Sequence, residues 1–298
     1  MHFLIVRVLA LMLAGCWLEH LATPAYAWGA ATHIHLAGRL LELHYLLPAA
    51  LAGLLGRHAA SFLYGNTAAD VVLGKKFCRA REHCHNWAVG FSLLSRCREE
   101  DEQAFGYGYL CHLAADTVAH NVYVPRQIVL SGTTQAVGHL YWEMRADAAL
   151  PDTIWPEVRR TLATPNRRMN ALLEAELAET ILPFKHAVWL FRKTNLLNAA
   201  AGWQQGMRAF ERRLSRHTLD RALLLRDHEA SLHRMLDLLQ HGSSSEVLRL
   251  DPVGNAAFAY VRHQKRHLQR VEQLDAPRRE AALRELAAHF DTSLIRPV

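Results

Sequence analysis

Apolar residues along the chain recur at intervals of three and four rather than two. Between residues 32 and 47 the stripe is Leu36, Leu40, Leu43 and Leu47, which predicts an amphipathic helix. Pro48 opens a short second helix, and Gly65-Asn66 predicts a turn. The Cys- and His-rich stretch 71–86 shows no period. Helices are predicted over 87–97, 102–122 and 133–148. Beyond Pro151 the pattern is charged and periodic, predicting helices over 166–181, 202–239, 255–274 and 277–290, with breaks at 242–245 and at Asp251-Pro252.

Composition sharpens this reading. The 298 residues are 51% hydrophobic and carry only 16 Gly and 10 Pro, which excludes a disordered or collagen-like chain and argues against a turn-rich β sandwich. An all-α fold follows, as a single helical domain over 28–298 whose first half, 28–150, holds the chemistry and whose second half, 151–298, is scaffold. The net charge of +6 suits a phosphate-bearing or anionic partner. Nineteen His is the unusual number, because imidazole is the commonest metal ligand.

The first 27 residues have Arg7, an apolar run over 8–18 and a terminal Ala25-Tyr26-Ala27. They read as a secretory signal peptide cut before Trp28, which predicts a secreted or periplasmic protein. Leu13-Ala14-Gly15-Cys16 offers a rival reading, a lipid anchor on Cys16. No later stretch has the roughly 20 apolar residues that a membrane span needs. Cys78, Cys84, Cys97 and Cys111 remain. An oxidising compartment permits a disulfide, Cys78 to Cys84 being the most local pairing, and buried thiols are the alternative. Cys111, inside an apolar helical run, is expected to be unpaired.

The strongest chemical signal is His112, Asp116 and His120. Steps of four on a helix turn only about 40°, so these metal-capable side chains share one face. Composition alone predicts about 0.04 such triplets in a chain of this make-up. His139 and Glu143 are one turn apart on the next helix; roughly one such pair is expected by chance, and what raises this one is a helical hairpin that would bring both faces together. His233 with Asp237 and His263 with His267 lie among Arg and Lys and are read as solvated faces. His83, Cys84 and His85, with Asp70 upstream, lack the second half of a structural zinc site; a site shared with the His112 helix is more economical. At the expected mature N-terminus, Trp28-Gly29-Ala30-Ala31-Thr32-His33, a freed amine and its own carbonyl can chelate a metal that His33 completes, with His35 as local competitor. No G-x-S-x-G, G-x-x-x-x-G-K or G-x-G-x-x-G competes.

The ordered series W-G-x-x-x-H, Asp, His, H-x-x-x-D-x-x-x-H and H-x-x-x-E over about 28–147 resembles the zinc-dependent phospholipase C family, which shares an all-α fold with the fungal single-strand nucleases. In the bacterial phospholipases and the nucleases the third histidine of the triplet lies farther from the aspartate, past a proline. The compact spacing here, with Thr32-His33 and His85-Asn86-Trp87, is more similar to the amino-terminal domain of glycosylphosphatidylinositol-specific phospholipase D. The resemblance implies two or three zinc ions. One would take the Trp28 amine and carbonyl, His33 and Asp116; a second Asp70, His85, His112 and the shared Asp116; a third His120, His139 and Glu143. It also implies catalytic roles for Asp116, as bridging ligand, and for Asp70, as the group that orients or deprotonates the attacking water.

Three functional readings follow. The first is a secreted zinc phosphodiesterase acting on phospholipid at a membrane surface. The second is the same chemistry on single-stranded nucleic acid, with Trp87, Tyr107, Tyr109, Tyr123 and Trp142 available for stacking. The third is a non-catalytic zinc-stabilised protein binding a membrane or another protein, for which the basic run 262–270 offers an anionic-surface patch.

Overall fold

The computed structural model describes residues 28–71, 84–133, 135–177, 183–213, 215, 217–264, 267, 270–271 and 273–291. Among them all regular structure is helical. In chain order the helices are α1 (Ala30–Glu42), α2 (Ala49–Arg57), α3 (Ala59–Ala68), α4 (Trp87–Arg96), α5 (Glu100–Val118), α6 (Val124–Ser131), α7 (Gln135–Ala148), α8 (Trp155–Ala163), α9 (Arg167–Glu176), α10 (Phe184–Asn198), α11 (Ala201–Arg213), α12 (Arg221–His241), α13 (Asn255–His263) and α14 (Ala276–Ala288). The all-α expectation holds.

The centre of the molecule is α5, enclosed by α1, α3, α4 and α12. From Ala104 to Val118 all its residues except Tyr107 are buried, the signature of an interior helix rather than an amphipathic surface one. Its start is set by a capping box of Glu99 and Glu102, with Glu100, Asp101 and Glu102 lying at the positive end of the helix dipole.

The Gly65-Asn66 pair, expected in a turn, lies inside α3. A Cβ on Gly65 would sit 2.2 Å from the Phe105 carbonyl oxygen, and one on Gly108 2.3 Å from that of Phe62. The glycines therefore mark a backbone-to-backbone crossing of α3 on α5, not a chain reversal. The helix expected over 102–122 instead passes at Val118 into a π-helical turn, Ala119–Tyr123, and continues as α6. Pro125 explains the change: it has no N–H to donate and its ring excludes the carbonyl one turn earlier.

Other boundaries also moved. The helix over 32–47 ends at Glu42 and is followed by the 3-10 turn His44–Leu46. The span 202–239 divides into α11 and α12. Helices α8 and α10 were not expected, although the buried Ala187, Val188 and Phe191, with half-buried Phe184, form a helical stripe. One buried apolar cluster runs from Trp28 to Phe290 and joins both halves of the chain. Cys84, Cys97 and Cys111 are buried free thiols. Residues 1–27, Cys78 and His83 lie outside the described residues, as does much of 262–270.

Candidate metal centre

The α3–α5 crossing places the predicted ligands. His112 and Asp116 project from α5, Asp70 from the 3-10 turn Ala69–Val71 that ends α3, His85 from just before α4, and His33 from the second turn of α1. All are buried, at no more than 2% exposure. Asp116 is the hub. Its Oδ1 is 3.2 Å from His33 Nε2, and its Oδ2 is 2.9 Å from His85 Nε2 and 3.2 Å from His112 Nε2. Asp70 Oδ1 approaches the same pair, at 3.3 Å from His85 Nε2 and 3.8 Å from His112 Nε2. Single ligand atoms of His33, Asp70 and His112, and of His85, His112 and Asp116, lie within 4.8 Å of one another.

Sequence reasoning kept His33 and His112 in separate ligand sets. Here their rings stack with centroids 3.9 Å apart, so the sets interleave. His35, the competitor, turns away and faces the His228 ring at 6.1 Å. The Trp28 indole is buried, stacked on Tyr123 at 4.6 Å with its Nε1 donating to Ser231 Oγ, which anchors the chain entering α1.

A second group adjoins the first. His139 Nε2 is 3.3 Å from Glu143 Oε1 on α7. His120, from the π turn, has its ring 5.4 Å from that of His139 and 5.9 Å from that of His85. His120 Nδ1 is 3.9 Å from Asp116 Oδ2. The π turn thus leaves His120 beside the α5 ligands despite breaking the α-helical rotation assumed for it. His233 and His263 are exposed, as expected of solvated faces.

The orientation of the rings is set by backbone carbonyls. His112 Nδ1 donates to the Asn66 carbonyl at 2.8 Å, and His120 Nδ1 to the Pro252 carbonyl. A carbonyl can only accept, so each ring carries a proton on Nδ1, which leaves Nε2 as the nitrogen turned toward a metal. Burial, together with the neighbouring His112, lowers the pKa of His33 and favours its neutral form. Burial opposes ionisation of Asp116, yet the facing His112 and His33 hold its carboxyl well below the usual range.

This donor set fits zinc. The ring nitrogens of His33 and the carboxylate oxygens of Asp116 are buried and make no hydrogen bond of good geometry, although their N···O separations are short. Buried ligand atoms left without a hydrogen bond, as those of His33 and Asp116 are, are what a shared cation would satisfy. Imidazoles mixed with Asp and Glu oxygens suit zinc sites that keep open positions. A cleft lined by Gly29, Asp70, Glu143, Asp147, Phe191 and Asn195, among others, reaches both groups.

The family model described as "Zinc dependent phospholipase C" matches residues 32–181, half of the chain. The chain belongs to the zinc-dependent phospholipase C family. No curated protein and no solved structure matches it. The matched span contains His33, Asp70, His85, His112, Asp116, His120, His139 and Glu143, begins after Trp28, and extends past the resemblance through α8 and α9.

Sequence reasoning missed the supports. Asp147 accepts from Thr32 N at 2.9 Å and Thr32 Oγ1 at 2.6 Å, capping α1 from 115 residues away. Its signal was present, since Asp147 continues the His139, Glu143 register by one more step of four. Phe258 of α13 packs on the His139 and His120 rings at 5.4 and 6.1 Å, and the buried Arg234 of α12 donates to Thr117 Oγ1 at 2.7 Å. The half read as scaffold therefore closes over the site.

Proposed function

We propose that the chain is a secreted zinc-dependent phosphodiesterase that hydrolyses phospholipids in the manner of a phospholipase C. The observation that carries the reading is the convergence of two carboxylates and three imidazoles on α5 inside the span matched by that family. Trp28, through the amine and carbonyl exposed when 1–27 are removed, would hold one zinc with His33 and Asp116. Asp70, His85, His112 and Asp116 would hold a second, and His120, His139 and Glu143 a third. Zinc bound there supplies Lewis acidity, acidifying a water and offsetting phosphate charge.

The chain's own residues do the rest. Asp116, kept ionised, balances the cationic charge in a buried site. Asp70 stands on the cleft wall, where its carboxylate can hold an attacking water and receive its proton. The carbonyls of Asn66 and Pro252 hold His112 and His120 as Nε2 donors throughout. The cleft sets Phe191, Leu140 and Met144 beside Asn195 and Gln204, so apolar and polar side chains flank Asp70 together. Of the five aromatics offered for base stacking, Tyr109, Tyr123 and Trp142 are buried core residues and Trp87 and Tyr107 are half-buried against the same core, which favours lipid over single-stranded nucleic acid.

The test is a parallel assay at matched zinc and ionic strength. Phospholipid dispersions should release phosphorylated headgroup and diacylglycerol, with loss to chelator and recovery with zinc, while single-stranded DNA stays intact. DNA cleavage without lipid turnover would replace the substrate assignment. Zinc binding with neither activity, over several headgroups, would make the protein a zinc-stabilised binding protein.

A further inference from the structure

The family match ends at residue 181, and the helical hairpin α10–α11 that follows has its own character. Residues 184–213 carry Lys185, Arg192, Lys193, Arg208, Arg212 and Arg213 against the single acid Glu211. Glu211 is already paired with Arg145 at 2.5 Å, and α10 contains no acid.

Helix α10 has two faces. Phe191, Thr194, Asn195 and Asn198 line the cleft that reaches Asp70 and Glu143. On the opposite side Lys185, Trp189, Lys193 and Leu197 follow at steps of four, so they form one slowly turning stripe about 18 Å long. Trp189 is 60% and Leu197 56% exposed, and Lys185 and Lys193 are exposed beside them. Arg192 does not join the stripe; it turns back to the Leu162 and Ala163 carbonyls at the end of α8. On α11, Phe210 adds a further exposed aromatic ring.

We propose that the outer face of α10 is the surface by which the chain docks on an anionic phospholipid bilayer. An indole with an apolar body and a polar N–H partitions to the headgroup boundary. Lysines one turn to either side can bury their stems and set their ammonium groups on lipid phosphates. The same lysines count against a protein partner, because Lys is depleted at the centres of protein interfaces. No described helix is long and apolar enough to cross a membrane, so α10 lies on the surface with its axis along it. Docking there brings lipid to within about one helix diameter, roughly 10 Å, of the cleft on its inner face. The proposal rests on the phospholipase reading and names the surface on which that activity would take place.

The experiment compares the zinc-loaded full chain with Trp189→Ala and with Lys185→Gln/Lys193→Gln. Sedimentation with vesicles of phosphatidylcholine, alone or with phosphatidylglycerol, reads binding, and a short-chain phosphatidylcholine below its micellar concentration reads chemistry without docking. Wild type should prefer the anionic vesicles, and salt should weaken the binding. Each lysine removed should cost about fivefold in affinity for them. Trp189→Ala should weaken binding to both vesicle types and Trp189→Phe should restore part of it, while turnover of the monomeric lipid and zinc content stay at the wild-type level. Equal vesicle binding by wild type and variants would overturn the surface and leave the phospholipase reading intact. Vesicle binding lost in the variants, with no lipid cleaved by any form, would sustain the surface and overturn that reading. A stable soluble dimer that dissociates in Trp189→Ala, with no vesicle binding, would assign the face to a second copy of the chain instead.

Discussion

Asp116 offers both carboxylate oxygens to imidazoles from different parts of the chain, His33 on one side and His85 and His112 on the other. Asparagine keeps its volume but removes the charge and one acceptor. Asp116→Asn is therefore expected to lose the zinc it shares, with metal affinity falling by more than the 10–100-fold typical of an outer-shell partner. His233→Ala and His263→Ala should keep wild-type zinc, and metal analysis of the three proteins decides it. Asp147 makes a different prediction. Burial, opposed by its hydrogen bonds to Thr32 and Ala31, raises its carboxyl from 3.8 to about 6. A raised carboxyl keeps its proton longer in the folded state, so the stability linked to it is fully present below pH 3.8 and is lost as pH rises through about 6. The loss is bounded at about 3 kcal/mol. Asp147→Asn, which still offers an acceptor to Thr32, should remove that slope. Melting temperatures of the two proteins between pH 4 and 7 should converge at the acid end and separate in favour of the variant at the neutral end; parallel curves would contradict the assignment.

The crossing of α3 on α5 is the element on which the site depends, because it brings the Asn66 carbonyl to His112 and Asp70 to the α5 ligands. Gly65→Ala would press a methyl group into the backbone of α5 and should destabilise the fold by about 1–3 kcal/mol. It should also reduce zinc affinity in the folded fraction, measurable by chemical denaturation and metal titration. This level shows what the chain discloses locally. The His112, Asp116 and His139, Glu143 pairs were legible because a helix converts a spacing of four into a shared face without further information. Gly65-Asn66 was misread because a Gly-Asn pair looks the same in a turn and at a close crossing; the distinction lies in Phe62, Phe105 and Gly108, which only tertiary packing places opposite. The π turn was hidden for a related reason. Pro125 was visible, but an interrupted ladder can kink, stop or widen a helix, and here the packing of Asn121 on the Thr117 and Asp251 carbonyls accompanies the wide turn.

Across the whole molecule the second half closes over the first at points no local pattern marks. Pro252 holds His120 from 132 residues away, Phe258 packs on the His120 and His139 rings, and Arg126 pairs with Asp227 in the core. Gly254 starts α13 at φ 70°, and a Cβ there would lie 2.3 Å from the His120 carbonyl oxygen. Gly254→Ala should therefore shift the Pro252 loop and lower zinc occupancy at His120, His139 and Glu143 before it affects the ions on Asp116; zinc released per chain under a graded chelator reads this order. The central claim is that these donors hold zinc and use it on phospholipid. Its most direct measurement is a zinc titration of chelator-stripped, purified protein, following release of phosphorylated headgroup from phospholipid vesicles. The account predicts no release without zinc, and a rise that saturates at two or three ions per chain. Headgroup release that survives removal of zinc, or saturation with zinc and no release, would contradict it.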